Sequence, residues 1–195
     1  MTSTRFTPVL WLAAFSLLGP VIAWAHDPFL SYTNIWLRPN EMEVDCSLAR
    51  ASAARLMMDN PAGPQPPLLL TPDNIDNYLP ALKKAGEKLF EVTAGGKLLA
   101  PIEVDVELNQ EGDGVDFTIV FPRSPATPLR IAAIYIKLLP DDGYATALTL
   151  FDNDRNVLDS GENLDSNNLG TDLKVPPPSP SPSPKIAPTT TGQQW

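Results

Sequence analysis

The chain has one histidine, and it stands where it could bind a metal ion. His26 follows Ala23-Trp24-Ala25, which has the small residues of a signal-peptide cleavage site. Cleavage after Ala25 makes His26 the mature N-terminus, where its α-amine and imidazole form a chelating pair suited to Cu(II). Asp27 can add an oxygen ligand. We therefore predict a candidate metal site at His26 and Asp27; the simpler alternative is that cleavage exposes an ordinary polar residue.

Residues 152–156, with the sequence DNDRN, begin like a calcium-binding loop. An EF-hand loop also needs Gly at its sixth position and Glu at its twelfth, which here are Val157 and Asn163. The segment therefore favours a polar hairpin turn. Asp159 and Glu162 add negative charge nearby, so a calcium site of another kind stays open as an alternative.

The sequence lacks the usual groups for nucleophilic or metal-assisted catalysis. It contains no G-x-S-x-G, phosphate-loop, CxxC or HExxH motif. Its only cysteine, Cys46, lies in the alternating segment EMEVDCSL and is expected on the apolar face of a strand. We predict no catalytic residues, no cofactor-binding residues and no enzyme; a hydrolase is the third interpretation, behind two binding functions described below.

The composition excludes some classes of partner. The 195 residues include 23 Asp and Glu against 14 Lys and Arg, which leaves a net charge of −9. Nucleic-acid binding depends on clustered basic residues, and anionic lipid surfaces also select them. The charge is compatible with basic partners, with cations, or with solubility alone.

The hydropathy pattern divides the chain into three parts. Residues 1–25 carry one basic residue, Arg5, and then an apolar run, which is typical of a signal peptide. Residues 26–172 are predicted to form the folded domain, without a membrane span. Residues 173–195 are rich in Pro and Ser and are predicted to be a disordered tail. We expect a periplasmic or secreted protein.

Alternating and β-branched segments predict a mainly β domain. Strands are predicted at residues 29–37, 41–48, 89–93, 97–100, 102–108, 115–121, 129–139, 144–151 and 157–159. Gly95-Gly96 predicts a hairpin between the strands at 89–93 and 97–100, and residues 115–121 are predicted to pair back onto 102–108. Residues 129–139 are apolar on both faces, so that strand should be central. Helices are predicted at 49–58 and at 72–89, the second beginning at a Thr71 cap and with a break or kink at Pro80. The pattern favours an antiparallel, Ig-like β-sandwich with a short helical insertion.

The mature start, AHDPFLSYTNIWLRPNEMEVDCSLARASAARL, resembles the extracytoplasmic N-terminal region of HupE/UreJ-type accessory membrane proteins. The resemblance continues through residues 115–159. It implies an extracytoplasmic domain behind a signal peptide, with two strands followed by a helix. Those proteins continue into membrane helices, whereas this chain continues into the Pro/Ser-rich segment, so their transport or metal-delivery roles are not carried over.

The chain is also similar, more loosely, to CopC-type periplasmic copper proteins, which are small β-sandwiches whose signal cleavage exposes a histidine. Their later D-G-H motif aligns with Asp142-Gly143-Tyr144, where Tyr144 replaces the histidine. The similarity thus implies that Asp142 joins His26 as a ligand, in a site weakened by the missing histidine.

These observations favour an exported, non-enzymatic binding or interaction module. Its partner would be another exported protein or a small ligand, and the sequence does not identify which. The alternative is a periplasmic protein that binds copper or calcium through His26, Asp27 and Asp142.

Overall fold

The computed structural model describes residues 30–58, 65–109, 113–139 and 144–175. The predicted signal peptide, His26, Asp27, Asp142 and residues 176–195 lie outside the described residues. Within the described ranges, no helix is both long and apolar enough to span a membrane.

The described chain forms ten strands and three short α-helices. The strands are β1 Leu30–Leu37, β2 Glu41–Ala49, β3 Phe90–Ala94, β4 Lys97–Leu99, β5 Glu103–Leu108, β6 Gly114–Pro122, β7 Leu129–Ala133, β8 Ala145–Phe151, β9 Val157–Asp165 and β10 Gly170–Leu173. The helices are α1 Arg50–Arg55, α2 Leu79–Gly86 and α3 Tyr135–Leu138, and a 3-10 turn spans Ile75–Asn77.

The strands belong to two sheets, as predicted for a mainly β domain. The six-stranded sheet has the order β5-β6-β2-β1-β8-β9, and the four-stranded sheet has the order β10-β7-β3-β4. All neighbouring strands are antiparallel except β1 and β8, which run parallel although more than a hundred residues separate them along the chain. The Ig-like connectivity stays a prediction.

The inner faces of both sheets contribute to one hydrophobic core among the described residues. In β2, Met42, Val44, Cys46 and Leu48 are buried and alternate with partly exposed polar residues, as predicted. Each large apolar side chain buried in this way contributes about 1.5–3 kcal/mol to folding. The predicted position of Cys46 on the apolar face is confirmed.

The hairpin predicted at Gly95-Gly96 is also confirmed. Both glycines have positive φ, +56° and +77°, which most other residues adopt only with strain. The turn joins β3 to β4, and β5 and β6 pair as the sequence predicts.

The strand predicted over residues 129–139 was wrong in its second half. β7 ends at Ala133, where its pairing with β3 and β10 also ends, and the chain turns into α3. Tyr135 and Ile136 are consecutive in the chain and both are buried. Successive side chains of a strand point to opposite faces, so a strand covered on one face would bury only one of the two. β7 does lie inside its sheet, between β10 and β3.

The helix predicted over residues 72–89 is two separate pieces. Of the predicted break or kink at Pro80, the structure has a break: Pro80 lies in the first turn of α2, where its missing N–H removes no hydrogen bond. Thr71 accepts backbone hydrogen bonds from Asn74 and Ile75, and the Asn74 side chain accepts one from the Thr71 N–H. β10 and the second half of β9 carry no clear alternation and were not predicted.

Candidate functional site

The predicted metal ligands His26, Asp27 and Asp142 all lie outside the described residues, so this site stays a prediction. In the described ranges, no group of three or more His, Cys, Asp or Glu residues is arranged to hold a metal ion.

Residues 152–156 form the polar turn that the sequence favoured. One carboxylate oxygen of Asp152 accepts hydrogen bonds from the backbone N–H groups of Asp154 and Asn156, and the other accepts one from the Asn156 side chain. The bonds from Asn156 and Asp154 lower the pKa of Asp152. Arg155 adopts a left-handed φ of +66°. The carboxylate is therefore engaged by its own turn.

Cys46 lies among buried hydroxyl groups but is not poised for catalysis. Burial raises the pKa of its thiol to about 12, so the nucleophilic thiolate is not populated near neutral pH. Nearby, the hydroxyls of Ser31 and Tyr135 are 2.5 Å apart, and those of Thr33 and Thr146 are 2.8 Å apart. These groups satisfy one another within the core, which is a structural role.

The outer face of the six-stranded sheet is unusual in its charge. The six strands contain ten Asp and Glu residues and no Lys, Arg or His. By register and alternation, the outward positions hold Glu41, Glu43, Asp45, Glu103, Asp105, Glu107, Asp116 and Asp165. We call this surface the acidic face.

The carboxylates of the acidic face lie in rows across the strands. Glu107 is directly opposite Asp116, which is opposite Ser47. In the next row, Thr118 lies between Asp105 and Asp45. Like charges that face each other across strands destabilise a sheet, so this arrangement is not explained by stability.

Aromatic residues share this face with the carboxylates. The rings of Trp36 and Phe151 stack with centroids 4.2 Å apart and planes inclined by 14°. Tyr32 occupies an outward position of the same strand as Trp36, and 52 % of its surface is exposed. The acidic face therefore offers aromatic contact area as well as negative charge.

Asp45 connects the carboxylates of the acidic face to its aromatic residues. Its carboxylate accepts hydrogen bonds from the Trp36 indole N–H at 2.7 Å and from the Thr118 hydroxyl at 3.1 Å. Partial burial raises the pKa of Asp45, and the Trp36 hydrogen bond opposes that shift. The indole is thereby held in a defined orientation on the sheet.

One end of the acidic face forms a pocket of about 330 Å³. It is lined by Trp36, Arg38, Glu43, Asp45, Asp152, Asn153 and Arg155. Arg38 donates from one guanidinium nitrogen to both oxygens of Glu43, at 2.7 and 2.8 Å. The side-chain hydrogen bond and the charge of Glu43 raise the pKa of Arg38. The pocket thus already binds one guanidinium, which the connecting turn supplies.

Sequence reasoning recognised the alternating acidic residues of β2 and β5 and the net negative charge. It did not identify the acidic face, because nothing in the local pattern shows that β5, β6, β2 and β1 are neighbours. The absence of basic residues from every strand of one sheet is a signal that becomes visible only when the strand order is known.

A comparison with protein-family models and with curated proteins finds no match to this chain. The resemblances to HupE/UreJ-type and CopC-type proteins therefore stay predictions.

Proposed function

We propose that this protein is an exported, non-enzymatic binding module that holds a positively charged protein segment against its acidic face. The observation that carries the proposal is the segregation of charge, with ten carboxylates and no basic residue in the six strands of one sheet. Such a surface attracts basic segments and accelerates their association.

The aromatic residues of the acidic face, exposed Tyr32 and partly buried Trp36, support a peptide as the ligand. A Lys or Arg side chain gains from a carboxylate and also from the face of an aromatic ring, and Tyr32 and Trp36 lie beside the acidic rows. A dissolved cation would use the carboxylates alone. Extended segments with spaced basic residues suit a flat, pleated surface whose rows repeat every second residue.

Arg38 supports the same conclusion from within the chain. Its guanidinium meets Glu43 in charge-assisted hydrogen bonds and lies 3.7 Å from a Glu41 oxygen. A guanidinium from a partner would find the same chemistry at Glu103, Glu107 and Asp116, for which no ion pair occurs among the described residues. Arg38 is therefore an internal example of the proposed contact.

Calorimetry with a Lys/Arg-rich peptide and the mature protein tests the proposal. We expect binding that weakens as salt is added, and no binding of a Glu-rich peptide of equal length. The double variant Glu103→Lys/Glu107→Lys should weaken binding by about tenfold or more, because it replaces two attractions by repulsions.

The matched control is Glu91→Lys/Asp172→Lys, which changes the net charge equally but alters the four-stranded sheet. It should retain most of the affinity. An equal loss in both double variants would mean that net charge alone attracts the peptide, and the proposal would be wrong. Uptake of Cu(II) or Ca²⁺ without peptide binding would instead favour the metal-binding alternative.

Export is tested separately by sequencing the N-terminus of protein recovered outside the cytoplasm. The proposal requires a start at or near His26. An intact Met1 in that material would contradict cleavage.

A further inference from the structure

The helices carry the opposite charge to the acidic face. α1, α2 and α3 together contain Arg50, Arg55, Lys83, Lys84 and Lys137 and no Asp or Glu. α2 lies on the inner side of the six-stranded sheet, where a Cβ added to Gly86 would be 2.6 Å from Val104 and 3.3 Å from Phe117. Lys83 of α2 pairs with Asp105 of the acidic face at 2.9 Å, whereas Lys84 and Lys88 line a pocket beside the helices.

α2 presents two different stripes along its length. Leu82 and Gly86 are buried against the sheet. Ala81, Lys84 and Ala85 follow the spacing i, i+3 and i+4, which places them together on another side of α2, and Lys88 lies in the turn that follows the helix. The two small alanines leave room beside the helix, and Lys84 and Lys88 both line that space.

This second stripe forms one wall of a pocket of about 250 Å³. Leu56 and Met57, which follow α1, and Leu138 of α3 complete the lining. Leu56 and Met57 are buried, whereas Leu138 is 38 % exposed. Beside the pocket, Met58 is 61 % exposed, so apolar surface continues past Met57.

The lining combines apolar walls with positive charge only. Lys84 lines the pocket and pairs at 2.5 Å with Glu87, which is not a lining residue. Lys88 forms no ion pair within the part of the chain that the structure describes. No Asp or Glu lines the pocket. An alkyl chain matches the walls, and an anionic head group matches the lysines.

We propose that this helical pocket binds the free, monomeric form of a medium-chain aliphatic carboxylate. The pocket is small by the standard of ligand sites, which favours a single short chain over a two-chain lipid. The alkyl chain would lie against Leu56, Met57 and the alanine stripe. Lys88 would donate to the carboxylate, and Lys84 would exchange its contact with Glu87 for one with the ligand.

Titration calorimetry of the mature protein with decanoate, below its critical micelle concentration, tests the site. We expect one bound decanoate for each chain and about tenfold weaker binding of decanol, which lacks the charge. Lys88→Glu should weaken decanoate binding by at least about tenfold. Lys97→Glu, an equal change of charge on β4, should leave the affinity within about twofold.

Ala85→Phe provides a second, independent variant because it fills the pocket without changing charge. It should abolish decanoate binding while near-ultraviolet circular dichroism shows a native fold. A folded Ala85→Phe protein that binds like the wild type would overturn the proposal, as would equal losses in Lys88→Glu and Lys97→Glu. Binding to anionic phospholipid vesicles with no uptake of monomeric decanoate would also overturn it, and would assign the surface to a membrane.

Discussion

The two sheets share one core but differ in what they present to solvent. The strands of the four-stranded sheet contain Glu91, Lys97, Arg130 and Asp172, so acidic and basic residues are balanced, and Arg130 pairs with Asp172 at 3.3 Å. In the strands of the six-stranded sheet, by contrast, every charged residue is acidic. Since both sheets bury similar apolar residues, folding does not require the charge difference, which is the feature on which the proposed function rests.

The largest effect on stability is expected in the hydrophobic core, to which both sheets contribute. Phe117 of β6 and Ile131 of β7 are both fully buried. Phe117→Ala should destabilise the fold by about 3–5 kcal/mol and Ile131→Ala by about 2–5 kcal/mol, through lost burial and the cavity left behind. Urea unfolding should show one transition in each variant. Separate transitions for the two sheets would contradict a shared core.

The next effect concerns the edge of the four-stranded sheet. A Cβ at Gly170 of β10 would lie 2.8 Å from the Ile131 carbonyl oxygen and 2.9 Å from the Ala132 Cβ. Gly170→Ala should therefore destabilise the protein by about 1–3 kcal/mol, since β7 and β10 must separate. Thermal unfolding measures this. A stability equal to that of the wild type would show that β10 can shift freely.

Neutralising one carboxylate should stabilise the protein in the six-stranded sheet and destabilise it in the four-stranded sheet. Glu107 faces Asp116 directly, so Glu107→Gln should stabilise by about 0.2–1 kcal/mol by removing a like-charge pair. Asp172→Asn should slightly destabilise, by at most about 0.5 kcal/mol, because it removes an exposed ion pair with Arg130. Both changes in stability should become smaller at high salt. If the two substitutions changed stability in the same direction, the contrast between the sheets would be contradicted.

The smallest effect is the pH dependence of two carboxylates within the acidic face. Burial raises the pKa of Asp45, so its contribution to stability is present below its unfolded-state pKa and is lost as the pH rises through the folded value. The Lys83 hydrogen bond lowers the pKa of Asp105, whose contribution is present above its unfolded pKa and is lost as the pH falls.

Denaturation of Asp45→Asn and Asp105→Asn from acidic to neutral pH checks these signs. Relative to the wild type, Asp45→Asn should gain stability as the pH rises through the acid range, and Asp105→Asn should lose it. If the stability difference from the wild type changed with pH in the same direction for both variants, the assignment would be contradicted. That assignment is that burial shifts the pKa of Asp45 and that pairing with Lys83 shifts the pKa of Asp105.

Local pattern predicted those elements whose partners are close along the chain. The alternation of β2 placed Cys46 in the core, and Gly95-Gly96 predicted the hairpin because its positive φ values are a local requirement. Pro80 predicted either a break or a kink, and the structure has a break, between the 3-10 turn and α2, which local pattern alone does not distinguish from a kink.

The sequence by itself determined the acidic composition, the two-residue period of the strands and the side on which each carboxylate lies. Only the tertiary structure decided that Glu107, Asp116 and Ser47 form one row, that β1 runs parallel to β8, and that β7 ends at Ala133. The physical reason is that strand order and strand ends depend on hydrogen bonds between distant segments, which local residue preferences do not encode. The acidic face and the helical pocket are both products of that non-local pairing and packing.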